Sequence, residues 1–193
     1  VNGSVVLFGR GGDVLRAVTL AVAGAGRPIG LATITTASDD EFATASIANE
    51  LWVLGVDHLH RVLDSADPVA VTGFLAEVED CLGPLGACII DPGPIPPIPF
   101  DGFSIDEWLP LARVHLQAAL VIARAATPLL ERRGGGTFVL VQHPQPGTAA
   151  TCALWAALQS LPAALEAEHR GRPLRFRMLE APTAAGILPV LTA

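Results

Sequence analysis

The chain has 193 residues, 51% of them hydrophobic and only 16% charged, with a net charge of −7. An average soluble protein carries about 25% charged residues, so this chain has more apolar surface than usual and little with which to hold a polyanion. Its arginines are scattered, and only Arg170, Arg172, Arg175 and Arg177 cluster; a nucleic-acid partner is excluded, because phosphate binding needs a concentrated basic face.

The elements alternate between strand and helix from the start. Val5 to Phe8 is a short apolar run that ends in Gly9-Arg10-Gly11-Gly12. A strand closing on a glycine-rich turn is the opening of a dinucleotide-binding βαβ unit. Leu15 to Ala25 has helical periodicity, with Gly24 and Gly26 as stops. Ile29 to Thr35 is a second strand. Asp39 to Leu54 is a helix with Ser38 or Asp39 as its N-cap. His58 to Leu63 alternates as a third strand, its two histidines on one face. Pro68 to Leu82 is an amphipathic helix with Val71, Leu75 and Val78 facing the core. Ala87 to Ile90 is a fully apolar strand of the kind buried in a parallel sheet.

A proline-rich loop, Asp91 to Pro99, follows. The spacing then predicts a long helix from Ile105 to Arg133, interrupted near Pro110 and terminated by Gly134-Gly135-Gly136. That triplet precedes a strand, so it lies away from the ligand crevice, which forms at the carboxyl ends of strands. Thr137 to Val141 is a buried strand, Thr151 to His169 a helix, and Leu174 to Leu179 the last clear strand. Either a final strand is missing or Ile187 to Leu191 is a shortened one. The pattern predicts an α/β fold: a Rossmann-like, doubly wound parallel sheet with helices on both faces. It forms a single domain over residues 1–193 that is shortened at its C-terminus.

No apolar run reaches about 18 residues without a charge or breaker, so no membrane span is expected. There is no signal-peptide pattern, and the missing initiator Met points to a trimmed N-terminus. Cys81, Cys88 and Cys152 show neither CxxC nor zinc spacing and read as reduced, buried thiols of a cytoplasmic protein.

Several segments together resemble the short-chain dehydrogenase/reductase family. Phe8 to Leu15 sits where that family has T-G-x-x-x-G-x-G. Asp64-Ser65-Ala66-Asp67-Pro68 resembles its D-V-T-D segment, and Cys88-Ile89-Ile90-Asp91-Pro92-Gly93 its L-V-N-N-A-G strand. Pro99-Phe100 and Asp106-Glu107-Trp108 match the lead-in to its long helix. Ala156-Ala157-Leu158 matches the A-A-L that follows Y-x-x-x-K. The resemblance implies NAD(P) bound through Gly9, Gly11, Gly12, Asp64 and Gly93, and a proton relay of Tyr, Lys, Ser and Asn.

The relay residues are replaced. The chain has no Tyr, and all twelve basic residues are Arg. Alignment puts Thr151 at the Tyr position, Trp155 at the Lys position, Gln142-His143 at Ser-Ser and His115 at the helix Asn. A Thr hydroxyl does not ionise near neutral pH, so it cannot serve as the phenol does, and Trp offers one neutral donor. In the turn, Asp13 and Leu15 replace two glycines. A carboxylate at Asp13 satisfies the helix N-terminus itself and repels phosphate. Gly11 and Gly12 allow the turn to form one residue earlier. Asp91, His115 and His143 converge on the same region and invite either metal or acid/base chemistry; the bland alternative is a loop cap and two polar fillers. Thr148 and Thr151 read as N-cap residues.

The sequence therefore predicts a non-catalytic subunit or scaffold with no cofactor. It would pair with itself or with a catalytic homologue through helices 105–133 and 151–169. The faces proposed for this are Leu116, Ala119, Leu120, Ile122, Ala123 and Ala126 on one helix, and Ala153, Ala156, Ala157, Leu161 and Leu165 on the other. The apolar surplus would suit such an interface, but a GC-rich coding sequence inflates alanine equally. The alternatives are an NAD(P)-dependent oxidoreductase that uses His143 or His115 as proton donor, and a small-molecule sensor with the Pro92–Pro99 loop as a rigid wall.

Overall fold

A computed structural model describes residues 3–144, 147–180 and 184–192. Six strands form one parallel sheet: β1 (Ser4–Gly9), β2 (Ile29–Thr33), β3 (His58–Arg61), β4 (Leu85–Asp91), β5 (Gly136–Gln142) and β6 (Leu174–Glu180). Their order is β3-β2-β1-β4-β5-β6. The order reverses between β1 and β4, and in such sheets the ligand crevice opens at that switch point, beyond the carboxyl ends of the strands. β1, β2, β4 and β5 are buried along their whole length, which is why each reads as an unbroken apolar run rather than an alternation.

Helices cover both faces. α1 (Gly12–Gly24), α2 (Ser38–Val53) and α7 (Ala184–Thr192) lie on one side, over a core that includes Leu7, Leu15, Leu31, Leu51 and Ile89. α3 (Pro68–Leu82), α4 (Ile105–Ala112), α5 (Ala118–Arg132) and α6 (Ala149–Glu168) lie on the other, over Phe8, Phe74, Ile90, Phe138 and Leu158. Burying each such side chain contributes about 1.5–3 kcal/mol. In α3, Val71, Leu75 and Val78 are buried as their spacing requires.

Four expectations are corrected. α1 starts at Gly12, three residues early, because the turn forms upstream. α2 has Ala37 as N-cap, with no side-chain bond; the Thr35 hydroxyl accepts from the Ala37 N–H instead. The long helix is broken not at Pro110, which sits inside α4, but at a π turn, Arg113–Gln117. Ile187 to Leu191 is helical, in α7, and Ile187 and Leu191 pack into the same core as α1; the apolar run was too short to separate strand from helix.

Other expectations need smaller changes. Gly134 and Gly135 take positive φ, and the Gly135 N–H closes on the Leu130 carbonyl, which ends α5 as expected. Cys88 is fully buried, and burial pushes its thiol up; Cys81 is exposed rather than buried. The stretch Ile105–Arg132 is long and apolar enough to cross a membrane, but Ala118, Ala119, Ile122 and Ala126 within it are buried against the sheet. Those four, with Ala123, serve the chain's own core, so they cannot also form a partner face. Part of the expected faces stays open, since Leu120, Ala153 and Ala156 are exposed, and a groove of about 400 Å³ between α5 and α6 is lined by Leu120, Arg124, Pro128, Leu165 and His169 among others.

Candidate functional site

Five chain segments meet at the carboxyl edge of the sheet. The first is the turn after β1. Gly9 carries no side chain, and the Leu15 methyl groups fill that space: a Cβ on Gly9 would lie 2.5 Å from Leu15 Cδ2. Leu15 is thereby buried between α1 and β1 rather than projecting into the crevice. Gly11 has φ +83°, and a Cβ there would meet the Ala43 Cβ at 2.2 Å. Gly12 has φ +84° with open space around it. Both glycines thus hold the left-handed conformation, and α1 begins at the second of them. Asp13 lies in the first turn of α1 and is exposed, so solvent screens the repulsion expected from it.

Two cradle positions are committed elsewhere. Asp64 accepts from the Ala66 N–H at 3.0 Å and pairs with Arg113 at 2.5 Å. It caps a turn rather than the following helix, whose N-cap is Asp67. Arg10, missed in the sequence reading, reaches both oxygens of Asp40 at 3.2 Å. Asp40 is almost fully buried and also accepts from the Thr35 hydroxyl. The signal available was an acidic residue on the buried face of α2, which needs a partner.

The ends of β4 and β5 carry the densest chemistry. Asp91 is buried and accepts two hydrogen bonds on Oδ1, from His143 Nε2 at 2.7 Å and from the Gly93 N–H at 3.0 Å. Gly93 therefore shapes the loop. A carboxylate only accepts, so His143 donates from Nε2, and Nδ1 takes no part in this bond.

His115 lies in the π turn, fully buried. Its Nδ1 bonds the Leu111 carbonyl at 3.0 Å, and its Nε2 has no partner of normal hydrogen-bond geometry. Desolvation lowers its pKa. The Leu111 and Pro94 carbonyls oppose that, and Arg10 and His143 lie close enough to add to it. His115 is therefore neutral at pH 7. π turns recur where a helix is bent for function.

Asp91, His115 and His143 do gather here, but among the described residues no three His, Cys, Asp or Glu groups stand where they could hold a metal ion. His58 and His60 are tied separately, to the Val56 carbonyl and the Thr44 hydroxyl.

α6 closes the site. Thr148 is its N-cap. Thr151 is not a cap: it lies inside the helix, fully buried, with its hydroxyl 2.6 Å from that of Thr148. Trp155 points its indole N–H at the His143 carbonyl, 3.2 Å away. Trp155 lines a cavity of about 20 Å³ together with Leu140, Gln142, Met178, Pro92 and Ile95. The proline-rich loop does wall this cavity.

No family model matches the chain. It is 30% identical over 140 residues to 2,5-dichloro-2,5-cyclohexadiene-1,4-diol dehydrogenase LinX of Sphingobium indicum, a match that covers 69% of this chain and 56% of LinX. A short-chain type dehydrogenase/reductase from Mycobacterium marinum superposes with TM-score 0.80 and 21% identity, covering 93% of this chain and 74% of that one. A gluconate 5-dehydrogenase from Burkholderia cenocepacia, solved with NADP and tartrate, superposes with TM-score 0.76 and 21% identity, covering 93% and 71%. The chain belongs to the short-chain dehydrogenase/reductase family. It spans little more than half the length of the curated relative.

Thr151 and Trp155, which the alignment sets against the relay Tyr and Lys, are each bonded within the protein. His115, set against the helix Asn, lies in the π turn, and Gln142 and His143, set against the serines, end β5 and follow it.

Proposed function

We propose that this chain keeps the short-chain dehydrogenase/reductase fold without the family's proton relay, and that it acts as a non-catalytic subunit. The observation that carries this reading is the state of α6. The Thr151 hydroxyl is buried against Thr148, and the Trp155 indole is anchored to the His143 carbonyl where the family's lysine would reach the cofactor. Neither side chain can pass a proton near neutral pH.

The crevice fits a dinucleotide unequally. At the turn, Gly12 leaves room for close approach of a phosphate, and α1 presents its N-terminus there. At the other end the space beside Trp155 is only about 20 Å³, too small for a nicotinamide ring as the side chains stand. In this reading no dinucleotide binds productively, and the subunit associates through the α5–α6 groove. The partner is a second copy or a catalytic homologue.

A second reading has one specific observation in its favour. Asp91 holds His143 at 2.7 Å, the arrangement in which a carboxylate orients an imidazole for proton transfer. With it, the chain would be an NAD(P)-linked oxidoreductase in which His143 moves the proton at Nδ1. NAD(P), when bound, would supply the hydride chemistry. LinX is named a dehydrogenase, and the gluconate 5-dehydrogenase was solved with NADP.

Calorimetric titration with NADH and NADPH separates the two. The first reading expects no binding at millimolar cofactor, together with a concentration-dependent dimer or a captured homologue in sedimentation. Micromolar binding overturns it and favours the second. A strictly monomeric chain that also fails to pair with any catalytic homologue counts against the subunit role.

A further inference from the structure

α2 is apolar on both of its faces. Ile47, Ala48 and Leu51 pack into the core beneath it. On the opposite side Phe42, Ser46, Asn49 and Val53 recur at i, i+4, i+7 and i+11, a single stripe of a helix. Phe42 is 73% exposed and Val53 75%. Trp52, at 75%, flanks the stripe, and Leu54, at 60%, stands at its end. A surface helix ordinarily turns polar residues to solvent, and a contiguous apolar patch in their place marks an interaction site. The patch continues into a shallow groove of about 450 Å³ between α1 and α2, lined by Leu20, Ser46, Asn49, Glu50, Val53 and Leu54.

The charges around this patch have one sign. α2 carries Asp39, Asp40 and Glu41 in its first turn and neither Lys nor Arg along its length. Asp40 is buried and held by Arg10 and Thr35. Asp39 and Glu41 are exposed in the turn that carries Phe42, and Asp57 is exposed just beyond Leu54. Arg16, the cation of α1, is committed to Glu50 at 2.6 Å. Two copies of this face would set acid against acid. An antiparallel pair brings Asp39 and Glu41 of one copy toward Asp57 of the other, and a parallel pair brings like residues together. An anionic membrane attracts basic segments and repels this face in the same way.

We infer that the outer face of α2, with the groove beside α1, is a docking surface for a basic amphipathic helix of another protein. Apolar side chains of such a helix at i, i+3 or i+4 and i+7 fill the groove between Leu20 and Val53. The stripe from Phe42 to Val53 runs roughly 17 Å at about 1.5 Å per residue, enough for three turns of the partner. Lys or Arg flanking its apolar face meets Asp39 and Glu41 at one end and Asp57 at the other, which speeds encounter and excludes acidic helices. This face lies across the sheet from the α5–α6 groove. The inference is therefore independent of the association proposed there, and no cofactor enters it.

The test uses the whole chain and two fluorescein-labelled model helices. One is built of Leu and Lys with Leu at helical spacing, and the other has Glu in place of Lys. Fluorescence anisotropy reads binding. The Leu/Lys helix is expected to bind and the Leu/Glu helix not to bind. Binding should weaken roughly tenfold or more between about 0.01 and about 1 M salt, as the Debye length falls from about 30 to about 3 Å. Phe42→Ser and Val53→Ser alter exposed side chains and should leave the circular dichroism unchanged. Together they should weaken binding roughly tenfold or more, the usual result when apolar anchors are truncated. The single variants serve if the double one does not fold. Leu109→Ser, exposed on α4 across the sheet, should bind as wild type does. The inference is overturned if neither helix binds or if the two bind alike. It is equally overturned if the Phe42→Ser and Val53→Ser variants bind the Leu/Lys helix undiminished, since only general attraction to an acidic protein is then seen. A wild-type dimer in sedimentation, or flotation with phosphatidylserine vesicles, that these variants lose also overturns it, because the occupant is then a second copy or a membrane.

Discussion

Asp91 and His143 lie 52 positions apart in the chain and meet at 2.7 Å between Oδ1 and Nε2. The contact exists because β4 and β5 are parallel neighbours that end at the same edge of the sheet. The same oxygen also accepts from the Gly93 N–H, so one buried carboxylate sets both the ring and the loop. Asp91→Ala should lower unfolding stability by about 1–3 kcal/mol, the cost of leaving buried partners unpaired. Asp91→Asn keeps an acceptor and should cost less. Urea denaturation of both variants checks this, and equal losses would show that the carboxylate's bonds do not matter.

His115 makes stability depend on pH. Burial depresses its folded pKa below the ordinary 6.5, and His60 is depressed too, first by burial and then by Arg61. The unfolded chain therefore binds more protons than the folded one as pH falls below about 6.5. Stability is fully present above that value and is lost on acidification toward the folded pKa values. The expected slope is at most about 1.4 kcal/mol per pH unit for each group. His115→Asn should flatten the profile between about pH 6.5 and 5, read from denaturation midpoints; an unchanged slope would rule the residue out.

The two glycines of the first turn should respond differently to alanine. Both hold positive φ, which costs a side chain roughly 1–3 kcal/mol. Gly12→Ala meets nothing further, since its surroundings are open. Gly11→Ala adds a 2.2 Å clash with Ala43 Cβ and should be the more damaging of the two by thermal melting. Equal midpoints would mean that α2 shifts freely.

Trp155 holds α6 to the sheet edge. Trp155→Ala removes an indole packed beside Leu140 and Met178 and its bond to the His143 carbonyl. A loss of about 3 kcal/mol is expected, at the low end for a large aromatic because Trp155 is only half-buried. The cavity should enlarge, which crystallography would detect. A variant as stable as wild type would place the indole in solvent.

The groove between α5 and α6 makes the last prediction. Leu120 is 46% exposed at its rim. If the groove is an association surface, Leu120→Asp should dissociate the assembly in sedimentation while leaving the circular dichroism unchanged. An unaltered assembly would move the interface elsewhere.

The alternation of strands and helices and the place of the crevice at the carboxyl edge were legible in the residue order. Strands buried on both faces announce themselves as apolar runs, glycine turns mark where the chain reverses, and a missing Tyr or Lys is visible without coordinates. Long-range pairing was not legible. Local pattern could not say that the break in the long helix falls at His115 rather than Pro110, because a π turn has no strong sequence mark. Nor could it say that Ala119, Ala123 and Ala126 serve the chain's own core instead of a partner, since small residues suit both. The commitments of Asp64 to Arg113, Asp40 to Arg10 and Trp155 to the His143 carbonyl depend on side chains that only the packed layers bring within hydrogen-bond distance.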